Sequence, residues 1–329
     1  MSGSATRWIL HPIVNYTEGA QMHGWSLSGK VMLITGGARG IGAATARELA
    51  RRGALPVLAD LDADALAATA AGISPNPMTV ELDVTDVNAC EAAVERVLEE
   101  HRRLDVVWAN AGIGSGGPLQ LTDPAAWTRT LEVNLLGAYN TVRAALPAVI
   151  EQRGYVAVTA SLASFAHGPY MSAYCATKAG VEAMANSLRI EVAHHGVDVA
   201  TIHPTWIDTD MVREANDIPT FQLLRAALRP PFRKCYPVER AVRDIVAGFE
   251  HRRRRICVPR FVYLAHVLRP LLTLRLMERD QLAIAPELER SFRRELAERG
   301  LEGASVSERT AKQLARVNDP APANEPGLV

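Results

Sequence analysis

Between residues 31 and 259, short apolar runs alternate with stretches of helical period, and this alternation leaves the chain few folds to choose from. VMLIT (31–35), ALPVLAD (54–60), MTVELDV (78–84), LDVVWAN (104–110), YVAVTAS (155–161), VDVATIHP (197–204) and RICVP (255–259) read as strands. The intervening stretches place apolar residues at helical spacing. They are ARGIGAATARELARRG, closed by Gly53, LDADALAATAAG, ending at Gly72, and then 86–101, 124–152, 172–195 and 238–250. Strands that are apolar on both faces and alternate with helices predict a parallel sheet covered on both sides. Right-handed crossovers make it a doubly wound α/β fold, whose ligands sit beyond the carboxyl ends of the strands. Chemistry is therefore expected at 35–42, 60, 83, 110, 161 and 204.

The segment TGGARGIG (35–42) joins the first strand to the first helix. Gly36, Gly40 and Gly42 would let the backbone turn tightly and approach a pyrophosphate, with the helix N-terminus supplying amide donors. A glycine cluster alone is equally a tight turn. The strand before it, the helix after it and Asp60 at the end of the next strand favour a dinucleotide site. A carboxylate at Asp60 would accept hydrogen bonds from ribose hydroxyls and repel a 2′-phosphate, which favours NAD over NADP. Arg39 pulls the other way. Asp62 is a weaker rival for the ribose role and reads as a helix cap.

The stretch AYCATKAG (173–180) puts Tyr174 and Lys178 four positions apart on a predicted helix, so both project from one face. Taken alone, such a pair is a surface tyrosine lying on a lysine stem. In order along the chain, however, stand TGxxxGxG from Thr35 to Gly42, Asp83-Val84, Asn110-Ala111-Gly112, Asn134 within VNLLG, Ser161 and the YxxxK pair. With these, the segment from Lys30 to Pro259 resembles a classical short-chain dehydrogenase/reductase. One segment departs from the family pattern: Pro204-Thr205-Trp206-Ile207-Asp208-Thr209 carries Thr205 where glycine is usual.

The resemblance implies a set of roles. Thr35, Gly36, Arg39, Gly40, Ile41 and Gly42 would bind the cofactor, and Asp60 would hold the adenosine ribose. Asp83 and Val84 would contact the adenine, and Asn110, Ala111 and Gly112 would line the cofactor. Pro204, Ile207 and Thr209 would hold the nicotinamide end. Tyr174 would be the general acid/base, with Lys178 tuning it and binding the nicotinamide ribose. Ser161 would hold the substrate oxygen, and Asn134 would position a relay water. A free phenol titrates near ~10 and is a poor base at neutral pH, so a nearby ammonium would help it. No metal is called for.

Residues 29–260 form the expected single Rossmann-type domain, with 205–236 as a substrate lid. Residues 1–28 are an N-terminal extension, 261–303 a helical C-terminal extension and 304–329 a disordered tail. Met22 offers a second start for translation, and 281–300 reads as a charged, solvated helix. In the lid, Trp206, Met211, Ile218, Phe221, Leu223 and Leu224 suggest, with Phe165, Pro169 and Met171, an apolar pocket for a hydrophobic secondary alcohol or ketone. Core packing explains the same residues, and Arg225, Arg229, Arg233 and Lys234 could instead meet an anion. His167 lies in a loop beside the expected pocket and is either solvated or in touch with substrate.

The segment FVYLAHVLRPLLTLRLM (261–277) has three readings: packing over the substrate entrance, a subunit contact in a homo-oligomer, or peripheral membrane contact. The net charge of +0 argues against a general nucleic-acid binder. Cys90, Cys175, Cys235 and Cys257 form no CxxC pair. The absence of a secretory pattern and of a long apolar run suggests a cytoplasmic location, with or without membrane association. The expected activity is NAD-dependent interconversion of a hydrophobic secondary alcohol and its ketone by hydride transfer. The alternatives are NADPH-dependent ketone reduction and a nucleotide-binding regulatory protein.

Overall fold

The apolar runs form strands because both of their faces find cover. The computed structural model describes residues 24–306 and 311. In chain order, β1 (Val31–Thr35), α1 (Gly40–Arg51), β2 (Leu55–Asp60), α2 (Ala63–Ala71), β3 (Met78–Glu81), α3 (Val87–His101) and β4 (Val106–Ala109) make the first half. Then follow α4 (Pro124–Leu131), α5 (Gly137–Glu151), β5 (Tyr155–Thr159), α6 (Ser172–Glu191), β6 (Asp198–Pro204), α7 (Asp210–Asn216), α8 (Pro219–Ala226), α9 (Val238–Glu250) and β7 (Arg255–Val258). The seven strands are parallel, in the order β3-β2-β1-β4-β5-β6-β7. The doubly wound α/β expectation holds.

Alternate residues of each strand feed two cores. Val31 and Leu33 of β1 join Val107 of β4 on the face covered by α3, α5 and α6. Met32 and Ile34 join Trp108 on the face covered by α1 and α9. On that second face, Trp108, Tyr155 and Phe249 meet edge to face. The buried positions of α9, Ala241, Val242, Ile245, Val246 and Phe249, repeat at the spacing that gives a helix one apolar stripe. The strand order reverses between β1 and β4, and the crevice at that point opens beyond the strands' carboxyl ends.

The stretch expected as one helix over 124–152 is interrupted. A π-helical turn, Glu132–Leu136, separates α4 from α5, and the Gly137 amide reaches back to the Glu132 carbonyl. The turn buries Asn134. Such insertions re-aim a side chain that a regular helix would direct elsewhere, and they occur often at functional sites.

After β7 the chain adds α10 (Phe261–Val267), α11 (Arg269–Leu272) and α12 (Arg275–Ser305), the last broken at Gly300. The 281–300 stretch is not wholly solvated. Leu288, Ser291, Phe292 and Glu295 are buried, at i, i+3, i+4 and i+7, because this face packs on α8. At the head of the expected tail, Ala304, Ser305 and Val306 are buried too. Val306 bridges Ser115, and the Gly116 amide donates to the Ser305 carbonyl at 2.9 Å. Residues 1–23, with both candidate start positions, and 307–329 apart from 311 lie outside the described residues. Leu27, in the expected N-terminal extension, is buried in the core face of α1 and α9.

Candidate active site

The glycine turn between β1 and α1 allows backbone to pack on backbone. Gly36 has φ +66°, and a Cβ there would lie 2.9 Å from the Ala111 Cα. A Cβ on Gly42 would lie 2.3 Å from the Gly36 carbonyl oxygen, so any side chain would force this turn apart. Helices α2, α3 and α4 are capped by Asp62, Asp86 and Asp123, whereas α1 has no side-chain cap and no acidic residue in its first turn. Its amide end faces the crevice, which suits an anion.

The predicted nucleotide residues divide into those that face the crevice and those that support it. Gly36, Arg39, Gly40, Ile41, Asp60, Asp83, Val84, Asn110, Ala111, Gly112, Pro204, Ile207 and Thr209 line one cleft of about 550 Å³, together with Ser161, Tyr174 and Lys178. Thr35 and Gly42 lie beneath it. The Thr35 hydroxyl accepts from the amides of Asn110 and Ala111, at 3.0 and 3.2 Å. The Asn110 side chain donates to the carbonyls of Thr35 and Gly36 and accepts from the Thr159 hydroxyl at 3.1 Å. Its amide group is therefore a stitch between β1, β4 and β5.

Asp60 accepts from the Ala38 and Asp62 amides, both at 3.2 Å. Burial raises its pKa above the ordinary carboxylate value, and these two amides oppose the rise. Arg39 pairs with Asp62 at 2.9 Å, and Asp62 also caps α2 through the Ala65 amide. The cation that favoured a 2′-phosphate is thus already neutralised by a neighbour. Asp83 accepts from Thr85 and pairs with Arg129 at 3.0 Å. Burial disfavours its charge, but Thr85 and Arg129 outweigh that, and its pKa falls below the ordinary value. Arg129 had no signal in the sequence, since it reaches Asp83 only through the folded α4.

At the other end of the cleft, α6 presents Tyr174 and Lys178 on one face, as their spacing predicts. Lys178 is 3 % exposed, donates to the Thr159 carbonyl at 2.8 Å, and lies 5.6 Å from the Tyr174 ring centroid. Burial pulls its pKa down to about 8. Burial raises the Tyr174 phenol above the ordinary value, and hydrogen bonding with Ser161 acts in the other direction.

The Ser161 hydroxyl accepts from the Ala163 amide at 3.1 Å and donates to the Pro204 carbonyl at 3.4 Å. Its own carbonyl accepts from His203 Nδ1 at 3.1 Å. Burial lowers His203 to about 4, so the ring is neutral at physiological pH, and a carbonyl partner makes Nδ1 the protonated nitrogen. Asn134 grips one residue of the β4 loop at two points. Its oxygen accepts from the Ile113 amide at 2.8 Å and its nitrogen donates to the Ile113 carbonyl at 2.9 Å. A Cβ on Gly112 would lie 3.2 Å from the Asn134 oxygen and 3.6 Å from Lys178 Nζ, so a glycine lets both groups approach the loop.

The lid expected over 205–236 forms α7 and α8, and its base is pinned by reciprocal bonds of Tyr236 with Trp206 and Asp208, each 2.8 Å. The lid does not close the cleft alone. Phe292, Glu295 and Met277 of α12 also line it. Glu295 accepts from both the amide and the hydroxyl of Thr220, at 2.7 and 2.8 Å. Tyr170, held at φ +67°, meets Phe292 edge to face and donates to the Ala285 carbonyl. Arg229 is tied to Asp280 of α12, and Lys234 lies over the Tyr236 ring, which counts against a converging anion site. His167 is exposed at the rim.

Residues 30–219, more than half of the chain, match the family model described as short chain dehydrogenase. The chain belongs to the short-chain dehydrogenase family. This short-chain dehydrogenase is 32% identical over 230 residues to (-)-trans-carveol dehydrogenase of Rhodococcus erythropolis, covering 64% of this chain and 82% of the relative. It is 35% identical over 191 residues to trans-4-hydroxycyclohexanecarboxylate dehydrogenase of Sinomonas cyclohexanicum, covering 55% of this chain and 74% of that protein. Among solved structures, 3-ketoacyl-(acyl-carrier-protein) reductase of Brucella melitensis complexed with NADH matches with a TM-score of 0.64. That match has 26% identity and covers 71% of this chain and 98% of the other. As a short-chain dehydrogenase, the protein is an oxidoreductase acting on CH–OH groups with a nicotinamide dinucleotide. No described helix is long and apolar enough to cross a membrane.

Proposed function

We propose that this enzyme interconverts hydrophobic secondary alcohols and their ketones, with NAD as the hydride acceptor and Tyr174 as the proton-transfer group. One observation carries the reading. Ser161, Tyr174 and Lys178 lie on the same cleft as the glycine turn, and the rest of that cleft is walled by apolar residues of the lid and α12, among them Ile218, Phe221, Leu224 and Phe292. The two curated relatives are named for acting on carveol, which is apolar, and on a hydroxycyclohexanecarboxylate, which carries a carboxylate, so they agree on a ring-sized alcohol.

The cleft fits a dinucleotide at each of its parts. The open amide end of α1 would hold the pyrophosphate, Asp60 the adenosine ribose, and Asp83-Val84 the adenine. Ile207 and Thr209 would hold the nicotinamide end, and Lys178 its ribose. Hydride acceptance is the chemistry NAD supplies when bound. Ser161 donates to the substrate oxygen and holds it against Tyr174. Tyr174 takes the hydroxyl proton as the carbon–hydrogen bond breaks, and returns it in the reverse direction. Burial alone raises the phenol, so its working pKa depends on adding positive charge beside it. Lys178, kept dry and close, supplies positive charge there, and an oxidised nicotinamide would add to it when bound. Asn134 keeps the 113 loop fixed beside Lys178, and positions the water through which the lysine exchanges protons with solvent.

NAD is preferred over NADP because Asp60 faces the cleft while Arg39 is engaged by Asp62. The test is NADH formation from NAD⁺ over a panel of apolar secondary alcohols, with Tyr174→Phe alongside. The parent should turn over at least one ring alcohol. Tyr174→Phe should lose activity by about three orders of magnitude while still binding NAD in a calorimetric titration. A Tyr174→Phe variant of undiminished rate would sink the proton-transfer assignment, and tighter binding of NADP⁺ than NAD⁺ would overturn the cofactor assignment.

A further inference from the structure

The 261–277 segment is apolar on both of its sides. Its inward side is spent on the fold: Val262 and Ala265 are buried, Phe261 packs on Phe232 and Tyr236, and His266 reaches Glu182 at 3.0 Å. Its outward side carries Tyr263, Leu264, Val267, Leu271, Leu274 and Leu276, all exposed, with Leu264 at 60% and Leu276 at 69%. A run of exposed leucines on this scale marks a contact surface rather than ordinary surface scatter.

Charge identifies the occupant. From Arg260 to Met277 the charged residues are Arg260, Arg269 and Arg275, all exposed, with Arg269 paired to the buried Glu182 at 3.3 Å, and the segment contains no aspartate or glutamate. A two-fold contact with a second copy would bring this patch against itself, setting arginines near arginines with no acid from the segment between them. An anionic lipid surface offers both complements at once, acyl chains for the leucines and headgroups for the arginines. The position of the patch adds a reason. Leu272 and Met277, from the same segment, line the catalytic cleft.

We propose that this face docks peripherally on an anionic bilayer, and that apolar alcohol enters the cleft from the bilayer past Leu272 and Met277. The docking stands on the patch alone; the route of entry rests on the alcohol-oxidising reading above.

The test is co-sedimentation of the full chain with phosphatidylcholine vesicles, with and without phosphatidylglycerol, against Leu264→Asp/Leu271→Asp/Leu276→Asp. These three residues lie outside the cleft, so NAD binding and melting temperature serve as fold controls. The parent should pellet with phosphatidylglycerol vesicles and be released by high salt. The triple variant should partition at least about tenfold more weakly. A parent that stays in the supernatant with anionic vesicles overturns the proposal. So does a solution dimer, read by light scattering, that the triple variant splits into monomers, because a second copy then covers the face. Entry is read by comparing a short water-soluble alcohol with a long-chain alcohol dissolved in the vesicles. Loss confined to the vesicle alcohol supports entry from the bilayer, and equal rates for both in the variant overturn it. If neither alcohol is oxidised while anionic vesicles still bind, the alcohol-oxidising reading fails and the docking stands.

Discussion

Lys178 shows how a functional residue is held against its own preference. An ammonium at 3 % exposure loses hydration, and its pKa drops from 10.5 to about 8. A base whose folded pKa is depressed leaves the unfolded chain binding the extra proton, so its penalty is largest below pH 8 and fades as pH rises through 10.5. Parent stability measured by denaturant should therefore rise relative to that of Lys178→Met as pH goes from 8 to 10.5. Lys178→Met should be inactive yet no less stable at pH 7. Asp60 is the second residue-scale test. Asp60→Ser removes the charge that opposes a 2′-phosphate, and should shift the NADP⁺/NAD⁺ ratio of kcat/KM upward by about tenfold or more. If the ratio is unmoved, the carboxylate does not set the preference. These residues were legible because their spacing along the chain survives folding: Tyr174 and Lys178 by helical period, Asp60 by its place at a strand end. His203 and Arg129 were not. Each works through a partner on another element, Ser161 in one case and Asp83 in the other.

At the scale of elements, the strands and most helices follow from period and punctuation, and the seven predicted strands are the seven observed. Two features escaped. The π-helical turn at Glu132–Leu136 inserts into a stretch whose periodicity reads as continuous helix, and it carries Asn134 to its two bonds with Ile113. The inward face of α12 was masked by its many charges, because four buried positions among them register only once α8 lies opposite. Glu295 joins these helices through Thr220. Its replacement by alanine leaves the Thr220 amide and hydroxyl without their acceptor and should cost about 1–3 kcal/mol. Amide exchange over 219–226 should accelerate, while the nucleotide end remains protected. Glu295→Gln, which keeps an acceptor, should lose less. Unchanged exchange in Glu295→Ala would show that α8 is held by other contacts.

For the whole molecule, acid should be a particular weakness. His203, on β6, is fully buried against Phe165 and His266, and its folded pKa lies at about 4 against an ordinary 6.5. Between those values the unfolded chain takes up a proton that the folded chain refuses. Stability is thus complete above 6.5 and is lost as pH falls toward 4, by about 3 kcal/mol from this one ring. His203→Asn, able to donate to the Ser161 carbonyl but unable to titrate, should flatten that part of the pH–stability curve. An unchanged slope would assign the acid sensitivity elsewhere.

The order in which the protein is made bears on the order in which it becomes competent. Every residue assigned to the dinucleotide has been synthesised once Thr209 is joined, but the cleft wall is completed by Phe292 and by Val306 bridging back to Ser115. The nucleotide half also needs α9 to cover one face of its sheet, so it can assemble only once the chain through that helix has emerged. The chain gains the full wall of its substrate cleft only when the stretch through residue 306 has cleared the exit tunnel, so stalling or proteolytic clipping beyond β7 should yield a molecule that binds cofactor and discriminates poorly among alcohols.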